Sequence, residues 1–327
     1  MRVGEQGVAP LAGNTSLHRS RQRRSRFLLI INKGPGAVPI AREADAWDLM
    51  EIYFAKKDIA AIESDSTRSD ADYVVFERDR NMRKFAIIKR LFERLPDLWN
   101  YDAVMMLDDD LVPVRCHISD IFDLFMQTGL RVGQPALTED SYWSHEVVLR
   151  NARFRWRRTN FAEVMCPVMT MAALRDYIPL FDETVSGFGL DMYWSAVEWK
   201  LHGGVAVLDA TPMRHTRPVR GGVAYQGLSP GEERYTFFRR HNLKNFRHMT
   251  LDGATLVAGD TCWTRPIRYR SQIVDLVKFR LRSLQRRVGF LLLFGAAALR
   301  HLVGGKAPAH VRSVAEPGRR DDDNRRC

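Results

Sequence analysis

Residues 101–110 read Tyr-Asp-Ala-Val-Met-Met-Leu-Asp-Asp-Asp, an apolar run that ends in three consecutive carboxylates. The segment Ala103–Leu107 is short, almost continuously apolar and contains a β-branched residue, which predicts a buried strand. Like charges this close repel one another, so the cluster is costly unless a cation neutralises it. Alternate residues of an extended segment point to the same side, so Asp108 and Asp110 are predicted to share one divalent cation.

The acidic cluster has two interpretations that its local sequence leaves open. Hard divalent ions such as Mg²⁺ and Mn²⁺ take carboxylate oxygens together with substrate phosphates, which favours a metal–diphosphate site. Asp109 then faces away from the cation, towards a ribose hydroxyl or a backbone donor. The alternative is a solvated turn or a helix N-cap, because the following Leu111–Pro113 is typical of a turn.

The order of the predicted elements indicates an α/β fold. Strands are predicted at Phe27–Asn32, Trp47–Phe54, Tyr73–Phe76, Ala103–Leu107 and Val205–Leu208, and helices at Asn81–Leu95, Ile118–Thr128, Ala172–Phe181 and Met192–Lys200. Ala162–Met171 is predicted to be a strand that Pro167 interrupts. Alternation of strands and helices in the first half is typical of a mostly parallel central sheet covered by helices.

The composition fits a packed chain with anionic partners. The chain has 327 residues, 45% of them hydrophobic and 27% charged, so global disorder is disfavoured. The formal net charge of +11 favours nucleoside diphosphates, acidic lipids or nucleic acid. The cysteines at 116, 166, 262 and 327 are widely spaced and form no Cys-x-x-Cys pair, which disfavours zinc and a disulfide framework and favours a cytosolic setting.

The sequence divides into four regions. Residues 1–26 form a basic leader without a secretory signal and are predicted to be disordered, and residues 27–235 form the α/β domain. Residues 236–303 are predicted to be a helical, basic and apolar extension, followed by a disordered tail at 304–327. The apolar run Val288–Ala298 is shorter than the about 20 residues that span a bilayer, which favours a helix lying on an anionic membrane surface. An ordinary helix that covers the core is the alternative.

Four basic side chains are candidates for binding a metal ion or a phosphate group. His215 follows the last predicted strand, and a neutral imidazole is a suitable metal ligand beside carboxylates. Arg214 and Arg217 flank it, and their guanidinium groups match phosphate oxygens. Lys84, at the start of a helix, is placed to face a diphosphate. For each of these residues, a solvated surface side chain is the alternative.

Two further carboxylates are candidates for contact with substrate. Asp191 follows Gly189 at a helix start, where a carboxylate can serve as a general base and a glycine permits close approach of the backbone to a ligand. An N-cap aspartate is the alternative. Glu163 lies in an apolar segment, where an unpaired carboxylate is costly, so it is expected to have a partner or a ligand.

Taken in order, these motifs resemble domain-of-unknown-function family 707, a set of glycosyltransferase-like proteins. The resemblance spans roughly Phe27–Val219 and depends on the following pieces: Asp-x-Asp at 108–110, Gln-Pro-Ala-Leu at 134–137, Glu-Val-Met-Cys-Pro-Val at 163–168, Gly-Leu-Asp at 189–191, Asp209 and His215. It implies a GT-A-like, nucleotide-sugar-binding sandwich.

The resemblance also implies roles for the residues. Asp108 and Asp110 would hold Mn²⁺ or Mg²⁺ on the donor diphosphate, with His215 as an additional ligand. Asp191 would be the base of an inverting reaction. Gln134, Glu163 and Gly189 lie in the matched motifs and are predicted to contact the substrate. Apart from the resemblance, the residues themselves predict that Lys84, Arg214 and Arg217 steer the anionic donor and that Asp109 contacts it.

The predicted function is a metal-dependent glycosyltransferase that moves a sugar from a nucleoside diphosphate sugar to a hydroxyl acceptor, in polysaccharide or glycolipid synthesis. The predicted location is cytoplasmic, peripheral at the inner face of the membrane. A nucleotidyltransferase or a metal-dependent phosphohydrolase is the rival enzyme. A nucleic-acid-binding or membrane-adaptor protein that uses the basic stretch Arg150–Arg158 is the rival without catalysis, and it leaves the three aspartates unexplained.

Overall fold

A computed structural model of the chain describes residues 9–11, 15–19, 25–34, 37–43, 45–54, 70–79, 82–218 and 229–255. The chain divides into two compact units, Met1–Ile267 and Arg268–Cys327, and all described residues lie in the first. The membrane prediction for the apolar run Val288–Ala298 therefore lies outside the described residues. Within those residues, no helix combines the length and apolarity needed to cross a bilayer.

The described residues form twelve strands and five α-helices, with short 3₁₀ turns between them. The strands are β1 Ala9–Leu11, β2 Thr15–Arg19, β3 Phe27–Lys33, β4 Asp48–Phe54, β5 Tyr73–Glu77, β6 Ala103–Asp108, β7 Leu111–Pro113, β8 Val132–Leu137, β9 Phe154–Thr159, β10 Val168–Thr170, β11 Val205–His215 and β12 Thr250–Thr255. The helices are α1 Lys84–Arg94, α2 Ile118–Thr128, α3 Met171–Tyr177, α4 Leu190–His202 and α5 Pro230–Arg240. The 3₁₀ turns cover Pro96–Asn100, Glu146–Val148 and Ile178–Leu180.

All twelve strands belong to one mixed sheet of order β1-β2-β5-β4-β3-β6-β10-β8-β11-β9-β12, with β7 paired to the end of β11. Strands β5, β4, β3 and β6 run parallel to one another, and so do β8 and β11. Strand β10 lies antiparallel between β6 and β8, so its first residue lies at the edge where β6 ends. The predicted α/β class with an open, mostly parallel central sheet is confirmed.

Strand β6 ends where its burial ends and where the strand order of the sheet reverses. Strand β6 is fully buried up to Leu107 because its apolar side chains are covered on both faces, and Asp108 is its first partly exposed residue. The chain runs from β3 through β4 to β5 and then returns to β6 on the other side of β3. Ligands of open α/β sheets bind at such a reversal, outside the carboxyl ends of the strands.

Several element boundaries differ from those predicted by the sequence. Strand β11 continues from Val205 to His215 because β7 pairs with its second half, whereas a four-residue strand was expected. In the stretch Ala162–Met171, only Val168–Thr170 is a strand. Helix α4 begins at Leu190, so Asp191 lies in its first turn.

The predicted region boundaries also differ from the structure. Strands β1 and β2 lie within the leader 1–26, which was expected to be disordered, and β2 pairs with β5. Helix α5 crosses the expected boundary at 235/236, and β12 joins the central sheet through β9. The described part of the expected extension therefore belongs to the same α/β fold.

Candidate functional site

The carboxyl end of β6 brings the first aspartate to the reversal in strand order. Asp108 pairs in register with Asn32, the penultimate residue of β3. The backbone N–H of Asp108 donates to the carbonyl of Met165, in the segment that leads into β10. Asp108 is thus fixed between the first strand of the parallel set and the entry to the antiparallel strand.

Lys84 neutralises Asp108 from within the protein. Its Nζ donates to Asp108 Oδ1 at 2.9 Å, to the Met106 carbonyl at 3.0 Å and to the Val164 carbonyl at 3.0 Å. An ammonium group has three donors, so these acceptors account for all of them. In this arrangement, Lys84 orients Asp108 and has no remaining N–H for a phosphate.

Asp109 points away from Asp108 and connects two loops. Its Oδ2 accepts a hydrogen bond from the backbone N–H of Gly34 at 2.6 Å, and its Oδ1 pairs with Arg217. A Cβ on Gly34 would lie 2.9 Å from the same Oδ2, so the close approach depends on glycine. Asp109 therefore contacts a backbone donor, which was one of the two alternatives predicted for it.

Asp110 faces two cationic groups from the end of β11. Pairing of His215 with Leu111 brings the imidazole beside Asp110, with Nε2 at 3.1 Å from Oδ2. Arg217 Nε donates to the same Oδ2 at 3.0 Å. Burial alone would raise the pKa of Asp110, but the hydrogen bond and charge of His215 and the charge of Arg217 bring the pKa below its ordinary value.

The other ring nitrogen of His215 is occupied. Nδ1 lies 2.6 Å from the backbone carbonyl of Tyr142, which can only accept a hydrogen bond. Burial alone lowers the pKa of His215, but the bonds to Asp110 and to the Tyr142 carbonyl raise it above its ordinary value. Nothing in the sequence around Tyr142 indicated this contact, since it uses a backbone atom brought there by the fold.

Arg214 occupies the opposite side of β11 from His215, as alternation along a strand requires. Half of its side chain is exposed, and its nearest acidic partner is Asp140 at 3.7 Å. Of the two arginines beside His215, only Arg217 is joined directly to the aspartates at 109 and 110.

The donor set suits a divalent cation. Carboxylate oxygens with one imidazole are ligands that Mn²⁺ accepts. A histidine whose Nδ1 donates to a carbonyl presents Nε2 in the way that metal-binding histidines do. In the described part of the chain, no three His, Cys, Asp or Glu side chains converge on one point as a finished metal site. Asp110 and His215 are adjacent, whereas Asp108 is turned to Lys84.

Asp191 lies in the first turn of α4. Gly189 is the N-cap residue with a φ of 103°, a conformation that favours glycine, and a Cβ there would lie 2.9 Å from the Phe237 ring of α5. Asp191 Oδ1 accepts from the N–H of Met192 at 2.8 Å and of Gly189 at 3.3 Å. Burial raises the pKa of Asp191 to about 6, and these backbone donors limit the rise.

Glu163 is a second buried carboxyl in the same region. Its residue is 4% exposed, and within the described residues its Oε2 has no hydrogen-bond partner. Burial, followed by repulsion from Asp191, raises the pKa of Glu163 to about 8. Gln134 does not face open space. Its Oε1 accepts the backbone N–H of Glu163, and its Nε2 donates to the Pro135 carbonyl at 3.2 Å.

Asn32 is a polar residue at this edge that sequence reasoning missed. It is 5% exposed, and neither its Oδ1 nor its Nδ2 has a partner among the described residues. A buried amide without partners needs an explanation, because most buried polar atoms are hydrogen-bonded. Its signal in the sequence is a single polar residue at the end of an otherwise apolar strand.

Two arginines of the basic stretch Arg150–Arg158 pair with carboxylates of the fold. Arg157 is buried and pairs with both oxygens of Asp209 at 2.8 and 3.0 Å. Arg158 pairs with Asp252 on β12, and Arg155 donates to Gln127 at 2.9 Å. The charges of Arg157 and Arg158 are therefore compensated by carboxylates, whereas Gln127 is a neutral partner. The nucleic-acid alternative stays a prediction.

Comparisons with known proteins yield similar structures and no similar sequences. No family model and no curated protein sequence matches the chain, so the resemblance to family 707 stays a prediction. The mannosyltransferase PcManGT from Pyrobaculum calidifontis, in complex with GDP-Man and Mn²⁺, is 14% identical, with a TM-score of 0.42 over 60% of this chain and 58% of that chain. GalNAc-T7 with UDP, GalNAc and Mn²⁺ is 10% identical, with a TM-score of 0.46 over 65% and 47%.

S. aureus TarS 1–349 in complex with UDP-GlcNAc is 10% identical, with a TM-score of 0.43 over 65% of this chain and 64% of that chain. These three similar structures are of glycosyltransferases, and this chain spans less than two thirds of each of them. With TM-scores below 0.5, the likeness carries no conclusion about chemistry, and each ligand is a property of the protein that binds it.

Proposed function

We propose that this protein is a metal-dependent glycosyltransferase that transfers a sugar from a nucleoside diphosphate sugar to a hydroxyl group. One observation carries the proposal. The imidazole of His215 is held against Asp110 at the end of β6, at the same edge of the sheet that receives the buried carboxyls of Asp191 and Glu163. Displacement of a diphosphate by a hydroxyl requires a cation that stabilises the departing diphosphate and, beside it, a group that accepts the proton of the hydroxyl. We call Asp108, Asp110 and His215 the cation-binding half of the site, and the surroundings of Asp191 the proton-accepting half.

The cation-binding half would hold the donor. Asp110 and His215, together with Asp108, would bind Mn²⁺ or Mg²⁺, which when bound supplies charge stabilisation for a departing diphosphate. Arg217 is half exposed beside Asp110, so its guanidinium is available to pair with phosphate oxygens. Lys84 acts through Asp108, which it orients, and Asp109 acts through the backbone of Gly34, whose N–H donates a hydrogen bond to it.

The other half would receive the acceptor. Asp191 takes the proton of the attacking hydroxyl, and a pKa of about 6 keeps the group ionised at neutral pH while leaving it basic enough to accept that proton. Both backbone bonds to its carboxylate end on Oδ1, so we assign proton transfer to Oδ2. Gly189 supports this by letting α5 pack closely against the start of α4.

Other parts of the proposal depend on residues outside the described ranges. A peripheral contact with an anionic membrane depends on residues 273–303, which the structure does not describe. The cytoplasmic location is based on the spacing of the cysteines and stays a prediction. An acceptor in polysaccharide or glycolipid synthesis likewise stays a prediction.

The test is thermal unfolding with UDP and GDP, each with and without Mn²⁺. A ligand that binds only the native state raises the apparent melting temperature. We expect one diphosphate to stabilise the wild type in a Mn²⁺-dependent manner and the Asp110→Asn variant to lose that stabilisation. The exposed Asp123→Asn variant on α2 is the matched control and should keep it. Equal stabilisation with and without Mn²⁺, or none with any diphosphate, would contradict the proposal.

A further inference from the structure

The Oε2 atom of Glu163 is buried and has no hydrogen-bond partner among the described residues. Three other buried acids of the fold each have at least one side-chain partner. Glu77 accepts from the Thr15 hydroxyl at 2.6 Å, and Asp209 pairs with Arg157 at 2.8 Å. Glu198 accepts from the Tyr177 hydroxyl at 2.5 Å through Oε1, although its Oε2 has no partner in the described residues. For Glu163, in contrast, the atom Oε2 is left without any partner in the described part of the chain. Leaving such a group unpaired costs about 1–3 kcal/mol, so its retention indicates a ligand.

The backbone fixes where this carboxyl lies. On one side, the Ala162 carbonyl accepts from the Trp194 indole at 2.8 Å, and the Ala162 N–H donates to the Ser195 hydroxyl at 3.0 Å, which ties the segment to α4. On the other side, the carbonyls of Val164 and Met165 accept from Lys84 and from the N–H of Asp108. Glu163 therefore lies between the helix that carries Asp191 and the end of β6.

We infer that Glu163 binds a hydroxyl group of the transferred sugar. The inference depends on the proposed function and adds to it the part of the donor that this residue recognises. The sugar must lie between the diphosphate, which the cation-binding half holds, and the acceptor, which Asp191 receives. Glu163 lies between the same two parts of the site, so its carboxyl is placed to contact the sugar.

The chemistry of the group agrees with a hydroxyl ligand. A phosphate accepts hydrogen bonds, so it could pair with the carboxyl only in its protonated form and is repelled by the ionised form, while Asp108 and Asp110 add negative charge nearby. A hydroxyl both donates and accepts, so it pairs with an ionised or a protonated carboxyl. An apolar group would leave Oε2 unpaired.

The experiment compares a nucleoside diphosphate with its sugar conjugate on the same protein. Dissociation constants for UDP, UDP-GlcNAc, UDP-GalNAc, GDP and GDP-Man are measured by calorimetry in the presence of Mn²⁺. In Glu163→Ala, we expect affinity for the sugar nucleotide bound by the wild type to fall about tenfold, while affinity for the parent diphosphate stays unchanged. Glu163→Gln retains hydrogen-bonding atoms and should recover most of the loss. Glu93→Gln, on the exposed face of α1, is the control.

The outcomes separate the two proposals. If Glu163→Ala weakens the diphosphate and the sugar nucleotide equally, or weakens neither, the residue does not recognise the sugar, while the glycosyltransferase proposal stands. If the wild type binds no diphosphate with Mn²⁺, the proposed function fails and this inference fails with it. The ratio of the two affinities is measured on folded protein, so a change in stability does not produce it.

Discussion

The two sides of the sheet edge treat buried charge differently. At the end of β6, each aspartate has a cation or a backbone donor from the chain itself: Lys84 for Asp108, Gly34 for Asp109 and His215 for Asp110. At the entry to β10 and the start of α4, Glu163 and Asp191 have no cationic partner in the described residues, and burial raises the pKa of both. Burial also raises the pKa of Asp108, although Lys84 lowers it in part. The difference between the sides is that Asp108 and Asp110 have side-chain cations from the chain, whereas Asp191 has backbone donors alone and Glu163 Oε2 has no partner in the described residues, a cost that a ligand can relieve.

Asp191→Asn should produce the largest effect. If the second side contains the base, the substitution lowers kcat by about 10³-fold, since a positioned base contributes a factor of this order. In the wild type, the rate should rise with pH through about 6, because only the ionised carboxylate accepts a proton and its pKa is raised to about 6. Transfer is followed with the sugar nucleotide that binds the wild type, and Asp123→Asn should retain full activity. Retained activity in Asp191→Asn would remove the base from this side.

Glu163→Gln should stabilise the free protein, with a gain that grows with pH. The pKa of Glu163 is about 8 in the folded chain against an ordinary value of 4.5, so the unfolded chain loses its proton first as pH rises. The wild type therefore loses stability between these two values, and the variant does not. At pH 7 the difference in free energy of unfolding has an upper bound of about 3 kcal/mol, and it vanishes near pH 4.5. Urea unfolding at several pH values measures it, and a pH-independent difference would contradict the assignment.

Lys84→Met should destabilise the protein, because it removes the internal cation from the first side. Its side chain is 13% exposed and that of Asp108 is 40% exposed, so solvent relieves part of the cost. We expect a loss of about 2 kcal/mol in the free energy of unfolding, including two hydrogen bonds to backbone carbonyls. A double-mutant cycle with Asp108→Asn isolates the pair. A coupling energy of zero would mean that Asp108 does not depend on Lys84.

Gly34→Ala should have the smallest effect. The added methyl carbon would lie 2.9 Å from Asp109 Oδ2, so the aspartate must shift. Because the obstructing atom is the end of a side chain, we expect a loss of only about 1 kcal/mol in the free energy of unfolding. The Mn²⁺-dependent stabilisation by diphosphate should also weaken if Asp109 holds this loop in place. If the Mn²⁺-dependent rise in melting temperature with diphosphate is the same in this variant, Asp109 stabilises the fold and has no part in binding the donor.

The sequence was sufficient to predict β6, its carboxylate end and the α/β class, because a short apolar run is a local signal. It also pointed to His215, but it did not predict that β11 reaches this residue. That extension depends on pairing with β7, about a hundred residues earlier in the chain, which no local pattern records.

The partners of the site residues were not predictable from sequence. The ammonium of Lys84 is fully used by acceptors from β6 and from the segment before β10, which lie far apart along the chain. For Glu163, the sequence predicted only that burial of the carboxyl would be costly without a partner. Tertiary packing decides which atoms surround a buried carboxyl, so the sequence could not show that Oε2 has no partner. The boundary of α4 shifted because Gly189, with its positive φ, starts the helix earlier than the apolar periodicity suggests.

Strand β10 runs against its neighbours, and this has a consequence for how the protein could be altered. In a wholly parallel sheet, the loops that follow the strands supply the ligand contacts. Here residues 162–167 precede a strand of only three residues and still reach the edge of the sheet where β6 ends. Because β10 is hydrogen-bonded to β6 on one side and to β8 on the other, substitutions in residues 162–167 could change which ligand is bound while the sheet keeps its structure.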